Sequence, residues 1–264
     1  MSFLDALILG IVQGITEFFP ISSSGHLVIF ENILTNGYED FFYFSVFVHL
    51  ATFFAVLLYF RNTVKDLILG LVGKDKHSWI LFGALCIATL PAIVVALTIS
   101  DFIDDTFNST TPVMIAMMFT GTFFLVSEFL AKKITTKKAA PTLWTALIIG
   151  CVQAIAIIPG VSRSGSTLSA GLLTGLSREK SAEFSFLMAL PAIFGAAVFA
   201  SLDGLESGVT IDWGVYGIGF VASLISGYFA ISLLMQLYKK YSLNIFALYL
   251  IAMPLVVFGY STLF

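Results

Sequence analysis

From Phe41 to its end this sequence is a succession of apolar runs of roughly 20 residues, near 41–60, 79–99, 112–130, 183–201, 213–235 and 243–263, separated by short polar connectors. A run of that length fits one helical crossing of a ~30 Å hydrocarbon core, whereas a transmembrane barrel would show alternating segments of about ten residues. Only helices and closed barrels satisfy their backbone groups in lipid. The runs therefore predict an all-α polytopic membrane protein with six full crossings. A soluble globule is excluded, because 58% of the 264 residues are hydrophobic and 11% are charged, with a mean hydropathy of +0.99. Membrane lipid is the expected surrounding, and no nucleic-acid partner is expected. No Lys or Arg precedes Arg61, so the first segment lacks the basic start of a secretory signal and is expected to be retained.

The connectors sort by sign. Arg61, Lys65, Lys74 and Lys76 fall in one, Lys132, Lys133, Lys137 and Lys138 in another, then Arg178 with Lys180 and Lys239 with Lys240. These are expected to be cytoplasmic. The alternate connectors carry Glu31, Glu39 and Asp40, then Asp101, Asp104 and Asp105, then Asp203, Glu206 and Asp212, and are expected to face outward, with both termini outside. Arg163 is the one basic residue of the 13 that does not fit this scheme.

Two successive basic connectors flank residues 142–177, so this segment must leave the cytoplasmic side and return to it. It is expected to be a re-entrant hairpin with arms near 142–158 and 164–177, broken at Pro159-Gly160. The second arm, at ~1.5 Å per residue, is about 20 Å long and too short to cross. The N-terminus repeats the pattern, with arms near 3–19 and 22–34 broken at Pro20. The stretches "GIVQGITEFFPISSSG" and "GCVQAIAIIPGVSRSG" echo one another, with Gln13 matching Gln153 and a closing Ser-x-Ser-Gly in both. One hairpin plus three crossings per half makes the second half inverted relative to the first. A single integral-membrane domain over 1–264 is expected, with inverted-topology halves of about 1–135 and 140–264.

Non-helical backbone at membrane depth must be buried in protein or line a watery cavity, so the two tips are expected to face one another. Each second arm would aim a helix N-terminus at the shared cavity, which favours an anion. Arg163 adds a fork suited to phosphate, and Ser162, Ser164, Ser166 and Thr167 add hydroxyls. Gly160 and Gly165 would let backbone approach a ligand. Glu17 is the one acid well inside an apolar segment, and an acid at depth is functional by default. Gln13 shares its helix face one turn earlier, while Ser22, Ser23, Ser24 and His26 open the following arm. A buried Glu17–Arg163 pair that only neutralises charge would leave the serine-rich tips without a purpose.

Other polar groups receive ordinary readings. His49 is expected to make an interhelical hydrogen bond, Glu128 and Lys132 a surface i,i+4 pair, and Cys86 and Cys151 small buried contacts without a disulfide. Asn108-Ser-Thr matches a short glycosylation pattern that carries little weight.

Taken together these residues resemble the bacterial undecaprenyl-diphosphate phosphatases, the integral-membrane family also described as bacitracin-resistance proteins. Gln13 to Glu17 is similar to that family's Glu/Gln-x-x-x-Glu motif, "PISSSGH" (20–26) to its Pro-x-Ser-Ser-x-Gly-His stretch, "PGVSRSGST" (159–167) to its Pro-Gly-x-Ser-Arg-Ser-x-x-Thr motif, and "GLSRE" (175–179) to the sequence that follows. The resemblance covers essentially the whole chain. It implies removal of the terminal phosphate of a polyprenyl diphosphate at a bacterial plasma-membrane site open to the outer side, which recycles the lipid carrier of cell-wall synthesis. It also implies dependence on a divalent cation, Mg2+ or Ca2+, and leaves room for a homodimer.

Carried over by position, Glu17 would activate the nucleophile or hold the cation, and Ser23 would attack with His26 as acid/base partner, although a histidine nucleophile has also been considered for the family. Arg163 with Ser162, Ser164 and Thr167 would hold the diphosphate, with Gln13, Ser22, Ser24, Gly160 and Gly165 around it. Gln13 removes one carboxylate from the acidic motif, so phosphate oxygens would have to complete the coordination. The vanadium-haloperoxidase-like acid phosphatases share a Ser-Gly-His stretch, but they require a later His, and residues 163–202 contain none. The remaining rival is a transporter or flippase, since opposed broken helices in an inverted repeat also suit alternating access.

Overall fold

The structure is a computed structural model that describes residues 1–35, 41–107, 109–135, 138, 140–207 and 211–263. Eleven helices follow in order: α1 (Phe3–Phe18), α2 (Ser23–Thr35), α3 (Phe41–Tyr59), α4 (Arg61–Val72), α5 (Lys76–Thr106), α6 (Thr110–Ala131), α7 (Leu143–Ile155), α8 (Arg163–Leu173), α9 (Arg178–Ser207), α10 (Trp213–Lys240) and α11 (Asn244–Leu263). Among the described residues there is no strand beyond one isolated bridge, Lys138 to Leu176. Glu39, Asp40, Lys137 and Asn108 lie outside the described residues, as do the side chains of Glu31, Asp101, Asp104, Asp203 and Glu206.

Among the described residues five helices are long and apolar enough to cross a bilayer: Phe41–Tyr59, Lys76–Ser100, Thr110–Ala131, Arg178–Val198 and Trp213–Lys240. The sixth expected run coincides with α11, apolar over Asn244–Gly259. Large apolar side chains such as Phe54, Leu90, Phe119, Phe129 and Phe229 face outward, while Gln13, Glu17, Thr52, Thr120, Gln153 and Ser162 are buried. A surface this apolar, with polar side chains such as these held inside among apolar ones, suits lipid and not water. The chain is a multi-pass membrane protein.

α1, α2, α7 and α8 have 16, 13, 13 and 11 residues. At ~1.5 Å per residue they reach about 16–24 Å, short of the ~30 Å core. Their packing is reciprocal. α1 packs mainly along α10 and α7 along α5, α3 meets α9, and α6 meets α11. Small residues allow the closest approach, with Gly10 and Gly14 lying against Gly219, Ser223 and Gly227.

Three expectations are corrected. Residues 61–72, expected as a connector, form α4, because Val64, Leu67, Ile68 and Leu71 recur at helical spacing among Arg61, Lys65 and Asp66. No α4 residue is buried, and Ile68, Leu69 and Val72 are exposed, the pattern of a helix lying at a membrane–water boundary. Asp75 starts α5, accepting from the Ser78 backbone N–H at 2.8 Å and its hydroxyl at 2.9 Å, which holds its carboxyl below the usual range.

Glu128 makes no surface pair with Lys132. It is 2% exposed and takes a two-pronged bond from Arg178 at 2.7 and 2.6 Å. One oxygen also accepts the Leu243 N–H at 2.8 Å, just ahead of α11. The Arg178 guanidinium lies 5.1 Å from the centre of the Tyr238 ring. One buried carboxylate thus ties α6, α9, α10 and the start of α11 together. Cys86 and Cys151 are free, as expected, but exposed and not buried, because in a bilayer protein the apolar face points outward.

Candidate active site

Proline builds both tips. Pro20 has no N–H to continue α1 and biases the preceding residue toward extended backbone, and Phe19 sits at φ −63°, ψ 137°. Ser22 then takes φ 68° and its hydroxyl accepts the Gly25 N–H at 3.3 Å, opening α2. At the second tip Gly160 follows Pro159 at φ +93°, and the Ser162 hydroxyl accepts the Gly165 N–H at 3.3 Å, opening α8. The two second arms therefore start with one chemistry, a serine cap bonded to a glycine three residues on. Ser22 lies 3.4 Å from Ser24, and Ser162 lies 3.4 Å from Ser164.

The tips touch reciprocally. The Gly160 N–H donates to the Ser24 hydroxyl at 3.2 Å, and the Ser164 hydroxyl donates to the Phe19 carbonyl at 3.4 Å. In this correspondence Ser23 and Arg163 hold equivalent places, each the first residue of its helix, and both reach Glu17. Arg163 donates to one oxygen of that carboxylate, and the Ser23 hydroxyl donates to the other at 2.6 Å. The second oxygen also accepts from the Gln13 amide at 3.1 Å.

Around this contact lies a cavity of about 360 Å³. Its polar wall is Thr16, Glu17, Ser23, Ser24, Ser45, His49, Ser162, Arg163 and Ser164, and its apolar wall includes Phe42, Val46, Ile157 and Ile193. Expected site residues Gln13, Ser22, His26, Gly160, Gly165 and Thr167 do not line it. Gln13 and Ser22 are buried behind Glu17 and the α2 cap. Thr167 is 1% exposed and bonds the Arg163 and Ser164 carbonyls and the Ser185 hydroxyl, the last at 2.6 Å. It braces α8 from behind.

The structure does not bring His26 to Ser23. The first turn of α2 carries the ring away from the cavity, where one nitrogen donates to the Ser22 carbonyl at 2.7 Å and the other faces the Tyr249 hydroxyl at 2.6 Å. The histidine that reaches the cavity is His49 on α3, with Nε2 3.6 Å from Glu17 Oε2. Its ring bonds within its own helix, to the Ser45 carbonyl, and not to a neighbouring helix. The sequence signal for it was the one that singled out Glu17, an ionisable residue deep in an apolar run.

Gly160 is confined by more than its dihedral angle, because a Cβ there would overlap the Val113 carbonyl oxygen of α6. At Gly165 a Cβ would overlap the Phe124 ring. Gly160→Ala is expected to cost about 2 kcal/mol or more and to lower the thermal midpoint in detergent. Gly195→Ala, where a Cβ meets nothing, should leave it unchanged, and equal midpoints for the two variants would refute the steric account.

Among the described residues no group of three or more His, Cys, Asp or Glu side chains is placed to hold a metal ion. Among the described residues Glu17 is the only carboxylate on the cavity wall, and the neighbouring Gln13 Oε1 is buried without a hydrogen-bond partner. Oxygen donors of this kind suit a hard divalent cation only when a ligand completes the shell. The donor set fits a cation shared with phosphate oxygens.

A helical membrane protein in which two broken-helix tips bring a carboxylate, an arginine and several serines to one cavity is the class that these features define. The chain belongs to the family described as bacitracin resistance protein BacA, whose model matches residues 6–256. It is 42% identical over 246 residues to the undecaprenyl-diphosphatase of Methanococcus maripaludis strain C7, covering 93% of this chain and 95% of that one. It is 40% identical to the undecaprenyl-diphosphatase of Syntrophotalea carbinolica, with 94% and 95% covered. Undecaprenyl-diphosphatase 1 of Shouchella clausii is 33% identical, with 98% and 96% covered.

Proposed function

We propose that this chain hydrolyses the terminal phosphate of undecaprenyl diphosphate, giving the lipid monophosphate and inorganic phosphate, so that it recycles a cell-wall lipid carrier and confers bacitracin resistance. The single observation that carries the reading is the convergence of Arg163 and Ser23 on the two oxygens of Glu17 inside the cavity. Ser23 is a poor nucleophile unless a base takes its proton, and a carboxylate oxygen at 2.6 Å can do so. Its oxygen would attack the terminal phosphorus as the bond to the bridging oxygen breaks, releasing the lipid monophosphate. The proton taken by Glu17 would pass to the departing monophosphate oxygen. Glu17, a carboxylate again, would then take a proton from water as the water oxygen attacks the phosphorus, the bond to the Ser23 oxygen breaks, and that proton returns to Ser23. Arg163 and the helix N-termini of α2 and α8 would carry the charge on the transferring group, since phosphoryl transfer is mostly positioning and electrostatics. Glu17, with phosphate oxygens of the substrate, would hold a divalent cation, Mg2+ or Ca2+, which when bound neutralises diphosphate charge.

The same proposal covers topology: six crossings with α1–α2 and α7–α8 as re-entrant hairpins in an inverted repeat, basic connectors inside, and both termini and the site toward the outer side. The reciprocal tip bonds and the paired packing of the halves support it. Purified protein given undecaprenyl diphosphate is expected to release phosphate, and a chelator should stop the release. Well-folded protein that moves the lipid across vesicles without releasing phosphate would overturn the enzyme reading in favour of a flippase.

A further inference from the structure

His26 and His49 make the same first bond and differ in the second. Each ring's Nδ1 lies 2.7 Å from the backbone carbonyl oxygen four residues earlier, Ser22 for one and Ser45 for the other. A carbonyl oxygen only accepts, so Nδ1 carries the proton in both, and a neutral ring then presents a lone pair at Nε2. In His26 that lone pair accepts from the Tyr249 hydroxyl. In His49 the Nε2 edge faces Glu17 Oε2, 3.6 Å away, an oxygen that already accepts from Ser23 and Gln13. The separation is longer than a hydrogen bond. It is close to what two donors present when they share one ion at ligand distances of about 2.0–2.2 Å.

We propose that His49 Nε2 is a ligand of the divalent cation at Glu17, supplying the donor that a carboxylate at position 13 would otherwise provide. The inference rests on the cation-assisted phosphatase reading above and adds a nitrogen to an otherwise all-oxygen site. A metal-binding imidazole ordinarily donates its other N–H to a carbonyl or carboxylate, which fixes its tautomer, and the Ser45 carbonyl plays that part. The unpartnered Gln13 Oε1 behind Glu17 is a further oxygen donor. An imidazole ligand favours transition ions over Mg2+ and Ca2+. The nitrogen thereby adds affinity for imidazole-binding ions such as Co2+ beyond that for Mg2+ or Ca2+.

The test uses the full chain in detergent, stripped of metal and loaded with Mn2+ alone. Pulsed electron paramagnetic resonance is expected to show imidazole nitrogen coupling to bound Mn2+, lost in His49→Gln and retained in His26→Gln. Growth on 15N-histidine should alter the coupling in the unsubstituted chain, an arm that does not depend on a variant folding. His49→Gln should also weaken Co2+ binding on the order of tenfold while changing Mg2+ binding far less. Failure to bind Mn2+, bound Mn2+ without nitrogen coupling, or coupling that survives His49→Gln would overturn the proposal. Phosphate release measured on the same samples separates the two readings. Release without nitrogen coupling removes His49 as a ligand and leaves the phosphatase, whereas coupling without release does the reverse.

Discussion

Arg163→Ala is expected to reduce phosphate release on the order of 10³-fold, the scale on which an arginine supports phosphoryl transfer. The substitution removes a fixed charge from the transferring group and also leaves Glu17, whose side chain is 5% exposed, without its cation. Breaking a buried pair from one side costs about 3–5 kcal/mol, so the single variant should also melt earlier. The double variant Arg163→Ala with Glu17→Gln separates the two effects, because it leaves no orphaned charge. It should recover most of the thermal midpoint and none of the activity. Arg163→Lys keeps charge without the planar fork and should fall between. Phosphate release by Arg163→Ala within tenfold of the unsubstituted chain, in protein of normal stability, would remove Arg163 from the chemistry.

A loss of stability of the same size is expected away from the cavity, at Arg178. Arg178→Ala strips the bidentate partner from Glu128, which has a 2% exposed side chain and one further donor, the Leu243 N–H. The loss should approach about 3–5 kcal/mol. The reverse change, Glu128→Gln, leaves a guanidinium that is already 31% exposed and can turn toward water, so it should cost about half as much by the same reasoning. Thermal unfolding in detergent should rank Arg178→Ala below Glu128→Gln, with phosphate release per folded molecule little changed in either. An inverted ranking would mean that burial of the carboxylate does not set the cost.

Much of this architecture was legible because lipid imposes simple rules. Apolar run length marked the spans, and Pro20 and Pro159 marked the breaks because serine and glycine follow each of them, whereas Pro91, Pro191 and Pro254, set in apolar runs, stay inside α5, α9 and α11. α4 was passed over because its basic residues made it read as a connector, although Val64, Leu67, Ile68 and Leu71 carried a helical period. Glu128 was misassigned because the nearest Lys in sequence, Lys132, is not its neighbour in space. Its partner Arg178 lies 50 residues away.

At the site, Glu17, Ser23 and Arg163 could be picked out from type and position alone, as charge or clustered hydroxyls at membrane depth. That Ser23 bonds Glu17 while His26 turns toward Tyr249 depends on the rotation of α2 about its own axis, which α11 and the opposite tip set. Which side of a helix meets which neighbour likewise brought His49 of α3 into the cavity. The sequence by itself determined the solvent, the helical class, the breaks and the residue types gathered at the candidate site, because hydropathy, proline and buried charge act locally. Only the tertiary structure decided which serine, which histidine and which arginine converge on one carboxylate, because side-chain convergence depends on helix rotation and on contacts between residues as far apart as Glu17 and Arg163.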